Sequence, residues 1–201
     1  MTFKLGLTGS IGSGKSTTAE FFLREGCAVW DADETVQRLY SNGGMAVSRI
    51  GKIIPDVISN NSVSRTRLRE AIEKDLNLLD LIEETVHPLV SEDRNRFLSN
   101  ATSDIAVFDI PLLYETGSEE EMDAVACVTA PFNVRKSRVL SRGKMSENQV
   151  LNIMRRQMPD SEKCARANFV VIADTMDHAR QQVHEIVKKI RRDGKNARNS
   201  S

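Results

Sequence analysis

Eight residues near the N-terminus, Gly9-Ser10-Ile11-Gly12-Ser13-Gly14-Lys15-Ser16, satisfy the pattern G-x-x-x-x-G-K-[ST] without departure. Glycines at 9, 12 and 14 open backbone conformations closed to residues with a Cβ, so the loop can turn its N–H groups inward around a β-phosphate. A helix that follows adds its dipole and unpaired N–H groups. Lys15 brings a positive charge to the β- and γ-phosphates, and Ser16 a hydroxyl ligand for Mg²⁺. Motors, switches, pumps and kinases all use this cradle, so the question is which phosphoryl group moves, and onto what.

Carboxylates are the next candidates. Asp31 and Asp33 close the run "CAVWDAD", and the carboxyl ends of strands face the ligand crevice in open α/β sheets. There a carboxylate can act as a base for an acceptor hydroxyl or simply cap a turn; local sequence leaves both readings open. Asp109 ends the apolar run "AVFD" in the manner of a Walker-B aspartate, which holds Mg²⁺ directly or through water. Glu115 reads first as a turn carboxylate and second as a substrate contact. His87 precedes Pro88, expected to break or begin a helix; a lone histidine is more often a packing or surface residue. His178 and His184 receive no role. Arg138 and Arg142, four apart, share one helical face in a basic stretch that also holds Arg135, Lys136, Lys144, Arg155 and Arg156. Such a stretch can close as a lid, bringing guanidinium groups onto phosphates and shutting out water.

Five apolar runs must position these groups: 3–8, 27–33, 104–110, 123–130 and 168–173. None simply alternates, as expected for parallel strands buried on both faces. Helical spacing follows the first at 15–26, with Gly26 as its cap, the second at 35–43, and the fifth at 176–192. Strand–helix alternation predicts a three-layer α/β domain. Two helical stretches interrupt it: a charged insertion over 44–103 and the basic excursion over 131–165. The polar end, 193–201, is expected to be a flexible tail. The nucleotide-binding core is thus predicted over about 1–43, 104–130 and 166–192.

The chain has 201 residues with 28 Lys+Arg and 28 Asp+Glu, for no formal net charge. That balance argues against a basic surface for nucleic acid or membrane. Cys27, Cys127 and Cys164 lack metal or redox spacing and read as reduced thiols, as in a cytoplasmic protein. No leader is evident, and no apolar run reaches the ~18 residues of a membrane span. The D-x-x-G and N-K-x-D motifs of GTPase switches are absent. A compact kinase remains, one excursion holding the acceptor and the other clamping ATP.

Residues 3–190 resemble the dephospho-CoA kinase family, through "GLTGSIGSGKST", "DAD" at 31–33, "HPLV" at 87–90, "DIPLLYE" at 109–115, "RVLSRGKMS" at 138–146, "RRQM" at 155–158 and "ANFVVIAD" at 167–174. The resemblance implies a P-loop kinase fold with a five-stranded parallel sheet, a helical CoA-binding insertion and a lid. It implies transfer of the ATP γ-phosphoryl to the ribose 3′-hydroxyl of dephospho-CoA with Mg²⁺, the last step of coenzyme A synthesis. Gly12, Ser13, Gly14, Lys15, Ser16 and Thr17 then hold the ATP phosphates with Arg138; Ser16 and Asp109 hold the metal. Asp33 is the base, Lys15 and the lid arginine Arg142 act in transfer, and Asp33, His87, Asp109, Leu113 and Glu115 lie along the acceptor. The chain departs from the family at Ser91, where Arg is usual, and after the last strand, where "VVIADTMD" lacks the usual Asn and Gly; Arg94 or Arg96 could replace the missing arginine. A nucleoside or nucleotide kinase of similar fold is the alternative. A binding module that has lost catalysis is a further one, disfavoured by the retained Lys15, Ser16, Asp33 and Asp109. A monomer is expected, with an oligomer left open.

Overall fold

The computed structural model describes residues 2–143 and 145–199, with residues 156 and 195–199 as backbone only. It divides into two compact units, one running up to Trp30 and resuming at Ala101, the other Asp31–Asn100.

The first unit is built on β1 (Phe3–Thr8), β2 (Ala28–Asp31), β5 (Ile105–Asp109), β6 (Ala124–Thr129) and β7 (Phe169–Ile172). They form one sheet in the order β2-β5-β1-β6-β7. All five predicted strands are present, each trimmed by no more than three residues in total at its ends. β1 lies at the centre, parallel to β5 with Leu7 opposite Asp109, and to β6 with Thr8 opposite Cys127. That register sets the carboxyl ends of β1 and β5 side by side. Burial on both faces explains the unbroken apolar runs of β1, β5 and β6; the edge strand β7 departs from that expectation, with Val170 and Ile172 exposed. Leu5 and Leu7 point to one face, where they pack with Phe22 of α1 (Lys15–Arg24) and Val183 and Val187 of α9 (Met176–Asn199). Gly6 points to the other face, where a Cβ would meet Leu113 at 3.0 Å and Met122 at 3.1 Å.

α1 ends as the sequence suggests. Gly26, at φ +81°, donates to the Leu23 carbonyl, and Cys27 donates to that of Phe22. This pair of bonds closes a helix on a left-handed residue. α9 buries Ala179, Val183, Ile186, Val187 and Ile190 at helical spacing. It continues to Asn199, so helix extends through residues expected to be tail; Ser200 and Ser201 lie outside the described residues. β7 is an edge strand, and Gln182 of α9 occupies its open side: Ile172 N–H donates to Oε1 and Nε2 donates to the Ile172 carbonyl, both at 3.0 Å. Among the described residues no helix is long and apolar enough to cross a membrane. The basic excursion forms α6 (Phe132–Ser141), α7 (Glu147–Arg156) and α8 (Asp160–Arg166).

The second unit holds α2 (Ala32–Tyr40), α3 (Met45–Ile53), α4 (Arg65–Lys74) and α5 (Asn77–Asn100) around Leu39, Val47, Ile50, Leu68, Ile82, Val86 and Leu89. It begins at Asp31 rather than at residue 44, because α2 contributes Leu39 to this core and Arg38 bonds Asp93 of α5 at 2.9 and 3.1 Å. The insertion also contains a hairpin, β3 (Ile58–Ser59) and β4 (Ser62–Val63), unforeseen in the sequence. Asn60 and Asn61, at φ 49° and 54°, make its two-residue turn, a geometry asparagine tolerates.

Two local expectations are corrected. Pro88 neither begins nor breaks a helix but lies inside α5. It removes one backbone donor, yet buried Val86 and Leu89 on either side hold the helix to its core, and Pro88 itself is exposed. Asp33 does not close β2: the strand ends at Asp31, and Asp33 sits in the first turn of α2.

Candidate active site

The phosphate loop follows β1 directly and leads into α1, the arrangement its sequence requires. Its glycines are sterically enforced. A Cβ at Gly9 would stand 2.5 Å from the Val128 carbonyl oxygen, and one at Gly12 2.4 Å from that of Arg135. Gly12 and Gly14 take φ +77° and +100°, the left-handed region that side chains resist. Within the loop Ser13 N–H donates to the Ser10 carbonyl at 3.0 Å.

Lys15, the first residue of α1, donates to Oδ1 of Asp109 at the end of β5. Asp109 is buried, and Lys15 keeps only 14% of its side chain exposed. The Leu7–Asp109 register explains the pairing, since it brings the end of β5 beside the mouth of the loop. Ser16, next to Lys15, is exposed. A hydroxyl and a carboxylate are hard oxygen donors, the type Mg²⁺ takes alongside phosphates and water. Among the described residues no group of three or more His, Cys, Asp or Glu could hold a metal alone, which such a phosphate-assisted site does not need.

Arg138 of α6, expected on the ATP phosphates, reaches the loop backbone: its guanidinium donates to the Ala173 carbonyl at 2.7 Å and to that of Ser13 at 3.3 Å. It therefore ties α6, the loop and the turn after β7 together. Arg142 caps the end of α6 and is exposed; the structure does not bring it to the loop. In place of the family's Asn and Gly, the turn after β7 has Asp174, whose carboxylate accepts from Thr175 N–H at 2.7 Å and lies 2.8 Å from His178 Nδ1.

Residues predicted along the acceptor have different fates. Leu113 is fully buried and packs with Tyr114 and Val125, so it offers no side-chain surface. Glu115 is engaged by protein: Lys163 of α8 lies 2.8 Å from its carboxylate and Met158 N–H donates to it at 3.0 Å. Burial pushes the Glu115 carboxyl up, but the Lys163 and Met158 hydrogen bonds outweigh that and leave it below the usual glutamate range. Lys163 is itself fully buried and donates to the Pro111 carbonyl at 3.2 Å.

In the second unit, Asp31 accepts from Glu34 N–H at 2.8 Å and caps α2. Asp33 is exposed, and its carboxylate has no hydrogen-bond or ion-pair partner among the described residues. His87 is exposed on α5. Ser91 is half-buried, and Arg96 is paired with Glu92 at 3.0 Å on the same helix.

Sequence reasoning missed Arg135, Gln157 and Lys163. Arg135 is buried, donates to the Ala130 carbonyl at 3.0 Å and lies 3.6 Å from Asp160. In the sequence it read only as one more charge of the basic stretch that could close as a lid. The thiols of Cys127 and Cys164 come within 3.7 Å of each other, and burial raises both above the usual thiol range. All three cysteines are free.

The family model described as dephospho-CoA kinase matches residues 3–178. Relatives named dephospho-CoA kinase include one from Ruegeria pomeroyi, 58% identical over 95% of this chain and 97% of its own. Another, from Cereibacter sphaeroides, is 49% identical over 94% and 96%. Among solved structures, TT1252 from Thermus thermophilus is similar with a TM-score of 0.85 at 29% identity, over 94% of this chain and 97% of that one. The dephospho-CoA kinase from Campylobacter jejuni shares the fold, with a TM-score of 0.70 at 21% identity over 94% and 98%.

Proposed function

The chain belongs to the dephospho-CoA kinase family, and on that premise we propose the reaction and the residues that carry it. The protein transfers the γ-phosphoryl group of ATP to the ribose 3′-hydroxyl of dephospho-CoA, giving coenzyme A and ADP. The observation that carries this reading is the meeting of Lys15 and Asp109 at the carboxyl ends of β1 and β5, the two charges phosphoryl transfer needs beside a phosphate loop.

Gly12–Thr17 bind the ATP phosphates through backbone N–H groups and the start of α1. Lys15 exchanges its Asp109 partner for phosphate oxygens and stabilises charge on the transferred group. Ser16 and Asp109 would hold Mg²⁺, which would supply positive charge to offset that of the ATP phosphates. Arg138 fixes the loop from α6, and Arg142 reaches the nucleotide when α7 and its flanks close as a lid.

Asp33 takes the proton of the acceptor hydroxyl. Its exposed carboxylate is uncommitted, whereas that of Asp31 is engaged in capping α2. Leu113 and Glu115 support the acceptor region through packing and the Lys163 pair. His87, exposed on α5, is an acceptor contact. The protein works as a monomer in the cytoplasm. The test is ADP formation from ATP with dephospho-CoA, and with nucleosides and nucleotides as competing acceptors. Turnover with dephospho-CoA alone is expected; turnover with a nucleotide instead would move the chain to another acceptor class.

A further inference from the structure

Gln157 has no part in the chemistry above, yet its side chain reaches the phosphate loop: Oε1 accepts the N–H of Ile11 at 3.1 Å. That N–H immediately precedes the run of loop donors beginning at Gly12. We propose that Gln157 is a positioning residue for ATP, holding the entrance of the phosphate loop from the junction between α7 and α8. The proposal rests on the kinase reading above.

The junction is built to be stiff. Gln157 ends α7 with extended backbone, φ −78° and ψ 153°, and its N–H closes the helix on the Ile153 carbonyl at 3.2 Å. Pro159 follows two residues later and starts α8, which restricts Met158. Met158 N–H is held by Glu115, and Glu115 by buried Lys163. Lys163 bonds the Pro111 carbonyl, which also accepts the Thr8 hydroxyl at 3.0 Å. Thr8 ends β1 and precedes Gly9.

These bonds form a closed ring. It runs from Thr8 through the loop to Ile11, across to Gln157 and Met158, on to Glu115 and back through Pro111 to Thr8. The entrance of the loop is thereby gripped on both sides, by Thr8 and by Ile11. Arg138 grips its exit at the Ser13 carbonyl. Donors that receive phosphate oxygens work best when fixed beforehand. Without the Gln157 acceptor, the Ile11 N–H loses its partner and the entrance can rock, so the cost falls on ATP rather than on the acceptor.

The experiment compares Gln157→Leu, which keeps bulk and removes the acceptor, with Gln157→Glu, which keeps an acceptor oxygen. Three quantities are read: single-residue hydrogen exchange at Ile11 in ligand-free protein, KM for each substrate, and the thermal midpoint. One lost hydrogen bond shifts an equilibrium by about two- to tenfold. Gln157→Leu should speed Ile11 exchange and raise KM for ATP by about that factor, with KM for dephospho-CoA and the midpoint nearly unchanged. Gln157→Glu should retain Ile11 protection. Unchanged exchange and unchanged KM for ATP in Gln157→Leu overturn the proposal. So does a parallel rise in both KM values with a lowered midpoint, the mark of a merely structural residue. If wild-type protein makes no ADP with dephospho-CoA, the kinase reading fails, while the Ile11 comparison still decides whether Gln157 positions the loop.

Discussion

Lys15 and the two aspartates at 31 and 33 show how residue type, partner and place divide the work. Lys15 sits at the start of α1 against a buried carboxylate, so its charge is held near the phosphate cradle instead of roaming in water. Lys15→Ala removes a charge aimed at the transferred group, and losses of this kind cost on the order of 10²–10³ in rate. Single-turnover rates at saturating ATP, read beside the thermal midpoint, check it; a rate within a few-fold of wild type would place the chemistry elsewhere. For the aspartates, strand alternation offers no discrimination, because only Asp31 belongs to the strand. Their partners do discriminate. Asp31 caps α2 through Glu34 N–H, and loss of such a cap typically costs about 1 kcal/mol of stability. Asp33 is uncommitted. Asp33→Asn should lower kcat by ~10²–10⁴ with ATP affinity kept, the usual range for a lost general base. Asp31→Asn, still a good cap, should leave both kcat and midpoint close to wild type. An inactive Asp31→Asn beside a normal Asp33→Asn would reverse the assignment.

The excursion between β6 and β7 divides into fixed and lightly held helices. α6 is anchored by buried Arg135 and by Arg138 on the phosphate loop. α8 is anchored by fully buried Lys163 and by Asp160, which accepts from Thr129 of β6. α7 is held otherwise: Val150 is buried, Glu147 pairs with Lys136 at an exposed site, and Gln157 closes its end. Exposed Gly143, at φ +66°, lies between α6 and α7. A lid that spans 131–165 uniformly would have to break the Arg135 and Lys163 contacts, and leaving Lys163 buried without a partner is strongly unfavourable. Under the lid proposal, closure is therefore expected of α7. Hydrogen exchange should slow across Glu147–Arg156 when an ATP analogue and dephospho-CoA bind together, with α6 and α8 changing little. Equal protection of α7 with and without ligands, or a uniform change over all three helices, would remove the lid from the mechanism.

Across the whole molecule, what could be read in advance was what repeats locally. The central strands β1, β5 and β6 were legible because doubly buried parallel strands write continuous apolar runs, β2 and β7 because their runs are apolar although less buried, and the phosphate loop because its glycines and lysine fall within one short stretch. The hairpin at 58–63 escaped because two-residue strands carry no period. The unit boundary at Asp31 escaped because α2 looks like any helix after a strand until Leu39 and Arg38 find their partners. Gln157–Ile11 and Lys163–Glu115 join residues 146 and 48 apart in sequence, and no local pattern announces such pairs. Those long-range pairs also set how the molecule meets acid. The Glu115 carboxyl is pushed up by burial but held, on balance, below the usual range by Lys163 and Met158. Asp104 is likewise lowered, by its hydrogen bond to Arg191. A lowered folded pKa means the ionised group stabilises the fold above the unfolded value, about 4.3 for glutamate. That contribution is lost as pH falls through the folded value. The Asp104–Arg191 pair is largely exposed, at 52% and 36%, so salt screens it; the Glu115–Lys163 pair, with Lys163 fully buried, resists screening. Thermal midpoints from pH 6 to pH 2.5 in low and high salt should therefore fall below about pH 4 in wild type, with the fall persisting in high salt. Glu115→Gln should start lower at pH 6, because Lys163 loses its counter-charge, and converge on wild type in acid, where protonation has already removed that charge. Parallel curves for wild type and Glu115→Gln would show that the clasp beside the phosphate loop does not govern acid stability.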